Sequence, residues 1–443
     1  MPAKINDAPS HRLYVTPIAD ALDSAPPAGV NLILTLRSAM AAIESGFRTE
    51  GIADYSDPRE TMRALPRFLQ YPLTLFTGKP IAGQKPLSWW TPGFHLTTAG
   101  LSMLLGLAIS CTGMGLGGFW LLLLLPGWAV TLHGMRNLRM MIYHQCSHRN
   151  MYRKRRLDAA IGRATSSLLI IQNFARYSRE HVSDHHAAHH MTLRDPTVQA
   201  FLVSLDLHPG MTRRQMWRRV LGKIFSPWFH LNFAVARARS FWHDSDTSEK
   251  ATSVALYGGA VAATVATGTW PMLVVAWLVP LFPLFQVSNT LRLCVKHTFP
   301  AADVTERRGK EYFGSLTNAI FIGEAAPSPA LPPVRRVAAW GRWATRMLFV
   351  HAPARYLVLT GDTVVHDFHH RYPSTPKWAN YIFERQADAD KGSPGWPEYR
   401  HAWGLVAAIN LVFDSLSVAD PEEYSVTRLR EVSKRELFAA FDD

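Results

Sequence analysis

Charge is absent from two long stretches of this chain. Residues 93–135 contain no Asp, Glu, Lys or Arg, and neither do residues 251–291. Each is roughly twice the ~20 residues that span a bilayer as a helix. Each therefore predicts a helical hairpin of two spans. The first runs from about His95 past Ser110, turns at the glycine-rich CTGMGLGG (111–118), and returns through FWLLLLLPGWAVTLHGM (119–135). The second runs from about Thr252 to Gly268, turns near GTWP (268–271), and returns through MLVVAWLVPLFPLFQVSNTL (272–291). Trp89, Trp90 and Trp270 at the edges, with basic flanks, suit a membrane better than a soluble core.

The expected fold class is all-α, an integral membrane protein with four transmembrane helices in two hairpins and a cytoplasmic helical cap. Its parts are an N-terminal region (1–92), hairpin one (93–136), a segment 137–250, hairpin two (251–292) and a C-terminal cap (293–443). Topology follows from charge. The turns lack Lys and Arg, whereas Arg136, Arg139 and RNMYRKRR (149–156) follow span two, and Arg292, Lys296, Arg307 and Arg308 follow span four. The positive-inside rule puts those ends, the three large segments and both termini on the cytoplasmic side. The formal net charge of +13 gathers there and suits anionic headgroups or an acidic protein partner. No motif favours nucleic acid. No cleavable signal peptide is expected, because the N-terminus lacks an apolar core segment. VNLILTL (30–36) reads as an interfacial or packed helix, and residues 343–360 as an interfacial helix that delivers the last histidine cluster. Cys111, Cys146 and Cys294 form no CxxC pair, so neither a disulfide framework nor a fused rubredoxin is expected.

Against this background the histidines stand out. The chain has 19, and ten lie in three short clusters. These are HQCSH (His144, His148), EHVSDHHAAHH (His181, His185, His186, His189, His190) and HDFHH (His366, His369, His370). Helical positions i, i+3 and i+4 share a face. An even number of crossings separates the clusters, so all three lie on one side of the membrane. If span two continues as a helix, His144 stands roughly 13 Å beyond Met135 at ~1.5 Å per residue. Imidazole suits iron, zinc, copper and nickel, and so many converging imidazoles predict more than one ion.

HxxxH, a box containing HH, then HxxHH, arranged around two hairpins, resembles the membrane-bound fatty acid desaturase and hydroxylase superfamily over roughly residues 90–400. HHRYPSTPKWANYIF (369–383) is similar to the continuation of the third box in bacterial members. The resemblance implies two iron ions held mainly by histidine, activation of O2, and attack on unactivated C–H bonds of an acyl or other lipid-like chain. It also implies an external electron donor of ferredoxin, rubredoxin or cytochrome b5 type, since no donor domain is fused. The second box has two registers. His186, His189 and His190 match the commoner desaturase spacing. His181, His185 and His186, after Glu180, match the alkane-monooxygenase branch, with Asp184 in place of that branch's Gly. The position of Asp195-Pro196 favours the latter register, which leaves His189 and His190 as supporting groups or alternative ligands. The family's lone histidine after span four is matched by His297, although Lys296 stands where one branch has Glu and Leu293 where another has Asn. The expected ligands are then His144, His148, His181, His185, His186, His297, His366, His369 and His370.

Metal-bound imidazoles usually donate their other N–H to a carboxylate or carbonyl. Glu180, Asp184, Asp195, Asp362 and Asp367 lie near the boxes, and Asp184 and Asp367 are the favoured orienting groups. His95, His133 and His351 read as hydrogen-bonded interior residues, and Cys146 as packing. Desaturation is the leading reaction, with hydroxylation by the same kind of site the alternative. A metal transporter or storage protein would need charged or ionisable groups within the spans. Apart from His95 and His133 the spans offer none of that kind.

Overall fold

The computed structural model describes residues 57–431 except Thr305, and within 181–188 it leaves the side chains of residues 183, 184, 187 and 188 undescribed. The apolar segment 30–36, most of the N-terminal region, the Asp184 side chain and the last residues of the C-terminal cap lie outside the described residues. Helix dominates what is described, as expected. The departure from all-α is one short parallel pair among the described residues, β1 (Ala319–Phe321) with β2 (His401–Trp403), in which Ile320 faces Ala402.

Among the described residues, three helices are long and apolar enough to cross a membrane: α1 (Pro92–Leu116), α2 (Gly118–Ser147) and α8 (Trp270–Leu293). The Thr91 side chain accepts from the Phe94 N–H, and Pro92 opens the first turn of α1. Gly117 ends the helix at φ 66°. Buried Ala99, Met103, Gly106, Ser110 and Gly113 repeat every three or four residues and form the stripe that meets α2. There a Cβ on Gly106 would lie 2.3 Å from the Thr131 nitrogen, and one on Gly127 would lie 2.2 Å from Ser110 Oγ. The two helices thus touch almost backbone to backbone, as small residues allow in lipid, where burial of apolar surface gives no drive for association.

Helix α2 has 30 residues, which at ~1.5 Å each is about 45 Å, longer than the ~30 Å hydrocarbon layer. It is therefore long enough for its last part to extend past the hydrocarbon layer. A π-helical turn, Leu138–Tyr143, is wholly buried and sets the rotation of the final turn, His144–Ser147. Helix α8 carries Pro280 and Pro283, which remove N–H donors, and π-helical turns over Leu273–Leu278 and Pro280–Leu284 accommodate them. Trp128 Nε1 donates to the Val275 carbonyl at 2.7 Å and ties α2 to α8.

The expected third span falls on α7 (Thr247–Ala266). It opens with Glu249 and Lys250 and is rich in Gly, Ala and Thr, so length and composition alone do not mark it as a span. Its Val254, Val261 and Val265 are nonetheless exposed, like Leu101 and Leu104 on α1 and Leu125 on α2. The cap includes α3 (Arg155–Leu169), α4 (Phe174–Glu180), α5 (Arg213–Ile224) and α6 (Pro227–Asp244) on one side of α7 in sequence. It continues with α9 (Pro333–Arg346), α10 (His366–Arg371), α11 (Tyr381–Asp390) and α12 (Leu405–Ser417). Arg237 of α6 is buried and donates to the carbonyls of Leu169 and Ile170 at the end of α3 and of Leu281 in α8. Glu249 is buried at the start of α7 and accepts from Asn173 Nδ2 (2.6 Å) and the Phe174 N–H (3.1 Å). It thereby anchors the helix that leads into the second histidine box. Residues 343–360 are helical from α9 through π-helical turns to Val358, and α9 buries none of its residues.

Candidate metal centre

Four elements bring the histidines together. His144 and His148 sit at the end of α2, His297 follows α8, and His366, His369 and His370 lie on the wholly buried α10. The second box follows α4 as a π-helix, His181–Ala188. A π-helix pairs residues five apart, where an α-helix pairs residues four apart. That spacing divides the box between two centres. His181 and His186 turn to one side, and His185 turns to the other.

The result is two all-histidine groups among the described residues, beside a third in which His185 and His190 meet Asp195. His144, His148, His181, His186 and His369 form one; His185, His297, His366 and His370 form the other. In each group the nitrogens that could bind an ion lie within 4.8 Å of one another. In the first group His181 Nε2 is 2.8 Å from His144 Nε2 and 3.0 Å from His186 Nε2, which is 3.3 Å from His369 Nε2. In the second, His297 Nε2 is 3.1 Å from His185 Nε2, and His370 Nε2 is 3.1 Å from His366 Nε2. All nine residues expected from sequence are in one or other group. His189 belongs to neither, whereas His190 borders the second.

A neutral imidazole carries one donor and one acceptor. Several Nε2 atoms crowded around a common point cannot all satisfy one another by hydrogen bonds. Buried His148 Nε2 has no hydrogen-bond partner. Protonation does not relieve the crowding, because burial holds the rings neutral. His148 is pushed down to about 3, chiefly by burial and further by His185. Burial also holds His181, His186, His297, His366, His369 and His370 well below the ordinary histidine range, with neighbouring cations and imidazoles adding to it. Neutral imidazoles with inward lone pairs are the form a metal ion requires. The donor chemistry fits two ions of the imidazole-binding class.

The orienting carboxylate is Asp195. It is fully buried and accepts from His185 Nδ1 at 3.1 Å and from the Met191 and Thr197 N–H groups at 2.8 Å each. Burial opposes its charge, but the neighbouring His185 with its hydrogen bond, helped by His190 and Lys296, holds the carboxyl below the usual carboxylate range. A proton fixed on Nδ1 leaves His185 Nε2 as the free donor atom. Asp367, the other expected orienting group with a described side chain, faces a cation instead. Its carboxylate is taken up by Arg385 at 2.7–3.0 Å. Glu180 pairs with Arg176, and Asp362 accepts from Gln145 Nε2 at 3.1 Å. Burial pushes Asp362 up to about 6. His95 Nε2 donates to the Ala379 carbonyl and His133 Nδ1 to the Tyr356 carbonyl, the interior roles expected for them. His351 Nε2 lies 3.8 Å from Glu324. The signal that would have singled out Asp195 is present in the sequence, since an Asp before Pro is a strong helix cap, and it caps Pro196–Gln199. Nothing in the spacing shows that its carboxylate also reaches His185.

Comparison with known proteins agrees with the histidine pattern. A family model described as fatty acid desaturase matches residues 118–379, which include all ten clustered histidines and His297. No curated protein matches the chain.

Proposed function

The chain belongs to the fatty acid desaturase family, and from that premise we propose that it is an O2-dependent diiron desaturase of an acyl or other lipid-like chain. The observation that carries this reading is the convergence of nine imidazoles, seven buried and two half-buried, into groups of five and four. His144, His148, His181, His186 and His369 would hold one iron, and His185, His297, His366 and His370 the other. Bound there, the iron pair supplies the O2 activation needed to attack an unactivated C–H bond. The protein's part is to present unprotonated Nε2 atoms in fixed directions. Asp195 does this for His185 by keeping the proton on Nδ1. The carbonyl of Met140 does it for His144, accepting from Nδ1 at 3.3 Å. The cap buries both groups and so limits water around them.

Three apolar helices and the family make this a membrane protein. We assign α7 as a fourth span, supported by its outward-facing valines. The charge distribution supports a cytoplasmic position for the histidine groups and both termini. An external ferredoxin, rubredoxin or cytochrome b5 type donor would deliver electrons to that basic face. One observation favours hydroxylation as the second reading. His181, His185 and His186 all join the groups while His189 does not, which is the register of the alkane-monooxygenase branch.

Lipid and metabolite profiling of cells making the wild type or His366→Ala tests the proposal, together with iron analysis of the purified proteins. A wild-type product lighter by two hydrogens supports desaturation. A product with one added oxygen replaces it with hydroxylation. Identical profiles and no bound iron in the wild type would overturn the diiron reading.

A further inference from the structure

The two groups are unequal, five imidazoles against four, and a tenth imidazole, itself buried, stands beside the smaller one. His190 is 2% exposed. Its ring centroid is 4.7 Å from that of His297, 5.1 Å from His370 and 5.2 Å from His185. Pairs within the four-histidine group are separated by similar distances, 4.9 Å for His185 with His297 and 5.2 Å for His297 with His366. Its Nδ1 donates to the His185 carbonyl at 3.0 Å. The tautomer is thereby fixed, and the lone pair is on Nε2. That Nε2 is buried and has no hydrogen-bond partner. The remaining neighbours of the ring include Phe313 at 5.2 Å and Tyr312 at 6.3 Å, and the Tyr312 hydroxyl donates to the His190 carbonyl instead. A buried acceptor without a partner is costly unless something else occupies it.

The local backbone gives a reason for its place. His186 follows His181 by five residues and joins it in the first group. His190 follows His185 by the same five residues, just beyond the π-helical turns, and its Nδ1 meets the carbonyl of His185 itself. Asp195 lies within reach of both, 3.1 Å from His185 Nδ1 and 3.8 Å from His190 Nδ1. The carboxylate is hydrogen-bonded to His185 alone, and the His190 Nδ1 proton goes to the His185 carbonyl.

We propose that His190 is a tenth metal ligand, the fifth imidazole of the second iron position, so that the protein holds its two irons with five histidines each. This rests on the diiron reading and extends it. The second box then supplies four ligands, His181, His185, His186 and His190, rather than the three of either register.

The test uses the full-length protein in detergent, stripped of metal and titrated anaerobically with Fe(II), with bound iron and Mössbauer spectra as readouts. The wild type is expected to bind two irons. His190→Ala is expected to keep one with unchanged affinity and to bind the other at least about tenfold more weakly, in the range seen when a metal's supporting residues are lost. Added imidazole, entering the space left by the ring, should restore the second iron. His189→Ala, whose ring joins neither group, should match the wild type. The proposal is overturned if His190→Ala binds two irons with wild-type affinity and spectra. It is equally overturned if both irons are lost together without rescue by imidazole, or if His189→Ala shows the same loss. A wild type that binds no iron defeats the diiron reading itself, which is a separate result.

Discussion

His185 and Asp195, ten residues apart, lie side by side in the folded protein with Nδ1 3.1 Å from the carboxylate and both side chains fully buried. The carboxylate also accepts two backbone N–H groups, so its position is set before any metal arrives. It orients one imidazole of the four-histidine group and none of the five-histidine group.

Asp195→Asn should therefore act selectively. Loss of the charge weakens the hold on the His185 proton, and the second iron should bind about 10- to 100-fold more weakly, the usual effect of changing such a partner. The first iron should stay. Iron per chain across an Fe(II) titration checks this, and equal weakening of both irons would contradict it.

The metal-free protein should lose stability in mild acid. His190 is pushed down to about 3 by burial, with His185 adding to it, while an unfolded chain titrates near 6.5. A lowered histidine value means that the unfolded state takes up protons first as pH falls. Stability is then unaffected above about pH 7 and declines as pH drops below ~6.5, by up to ~1.4 kcal/mol per pH unit for each such ring. Thermal unfolding of the stripped protein should show a falling midpoint from pH 7 to 5 and none between 7.5 and 8.5. A flat profile through pH 5 would refute it.

The α1–α2 contact should not tolerate one added methyl. Gly106→Ala places a Cβ 2.3 Å from the Thr131 nitrogen, a backbone atom that cannot swing aside. The cost should be about 1–3 kcal/mol. Gly100→Ala in the same helix meets nothing within 4 Å and is the matched control. Melting of both variants in detergent compares them, and similar midpoints would argue against the close contact.

Glu249→Ala should reach the metal centre indirectly. It removes the acceptor of the Asn173 and Phe174 donors, and each buried donor left unsatisfied costs roughly 1–3 kcal/mol. Asn173 in turn caps α4, which leads into His181. A lower melting midpoint and reduced iron retention are expected together. A stable variant with full iron would show that the second box does not depend on this anchor.

The sequence by itself determined the apolar spans, because ~20 uncharged residues in a row have few other uses. Three of the four expected spans fall on helices that length and composition mark. The fourth is less plain, because Glu249 and Lys250 open α7 and its Ala, Gly and Thr carry little apolar surface. The sequence also singled out a set of imidazoles. Nine were named from spacing and resemblance, and the fold gathers those nine.

Tertiary structure alone decided how they are shared. Spacing on an α-helix puts His181 and His185 on one face, but the π-helical turns separate them and pair His181 with His186. The difference is one hydrogen bond shifted from i+4 to i+5, which no count along the chain reveals. The same shift aligns His190 with His185. Asp367 looked the better orienting group beside His366, yet Arg385, 18 residues on, takes its charge, while Asp195 reaches His185. Side-chain partners of a buried carboxylate are chosen by which cation or donor the packed chain brings within about 3 Å, and that choice exists only once the helices have packed.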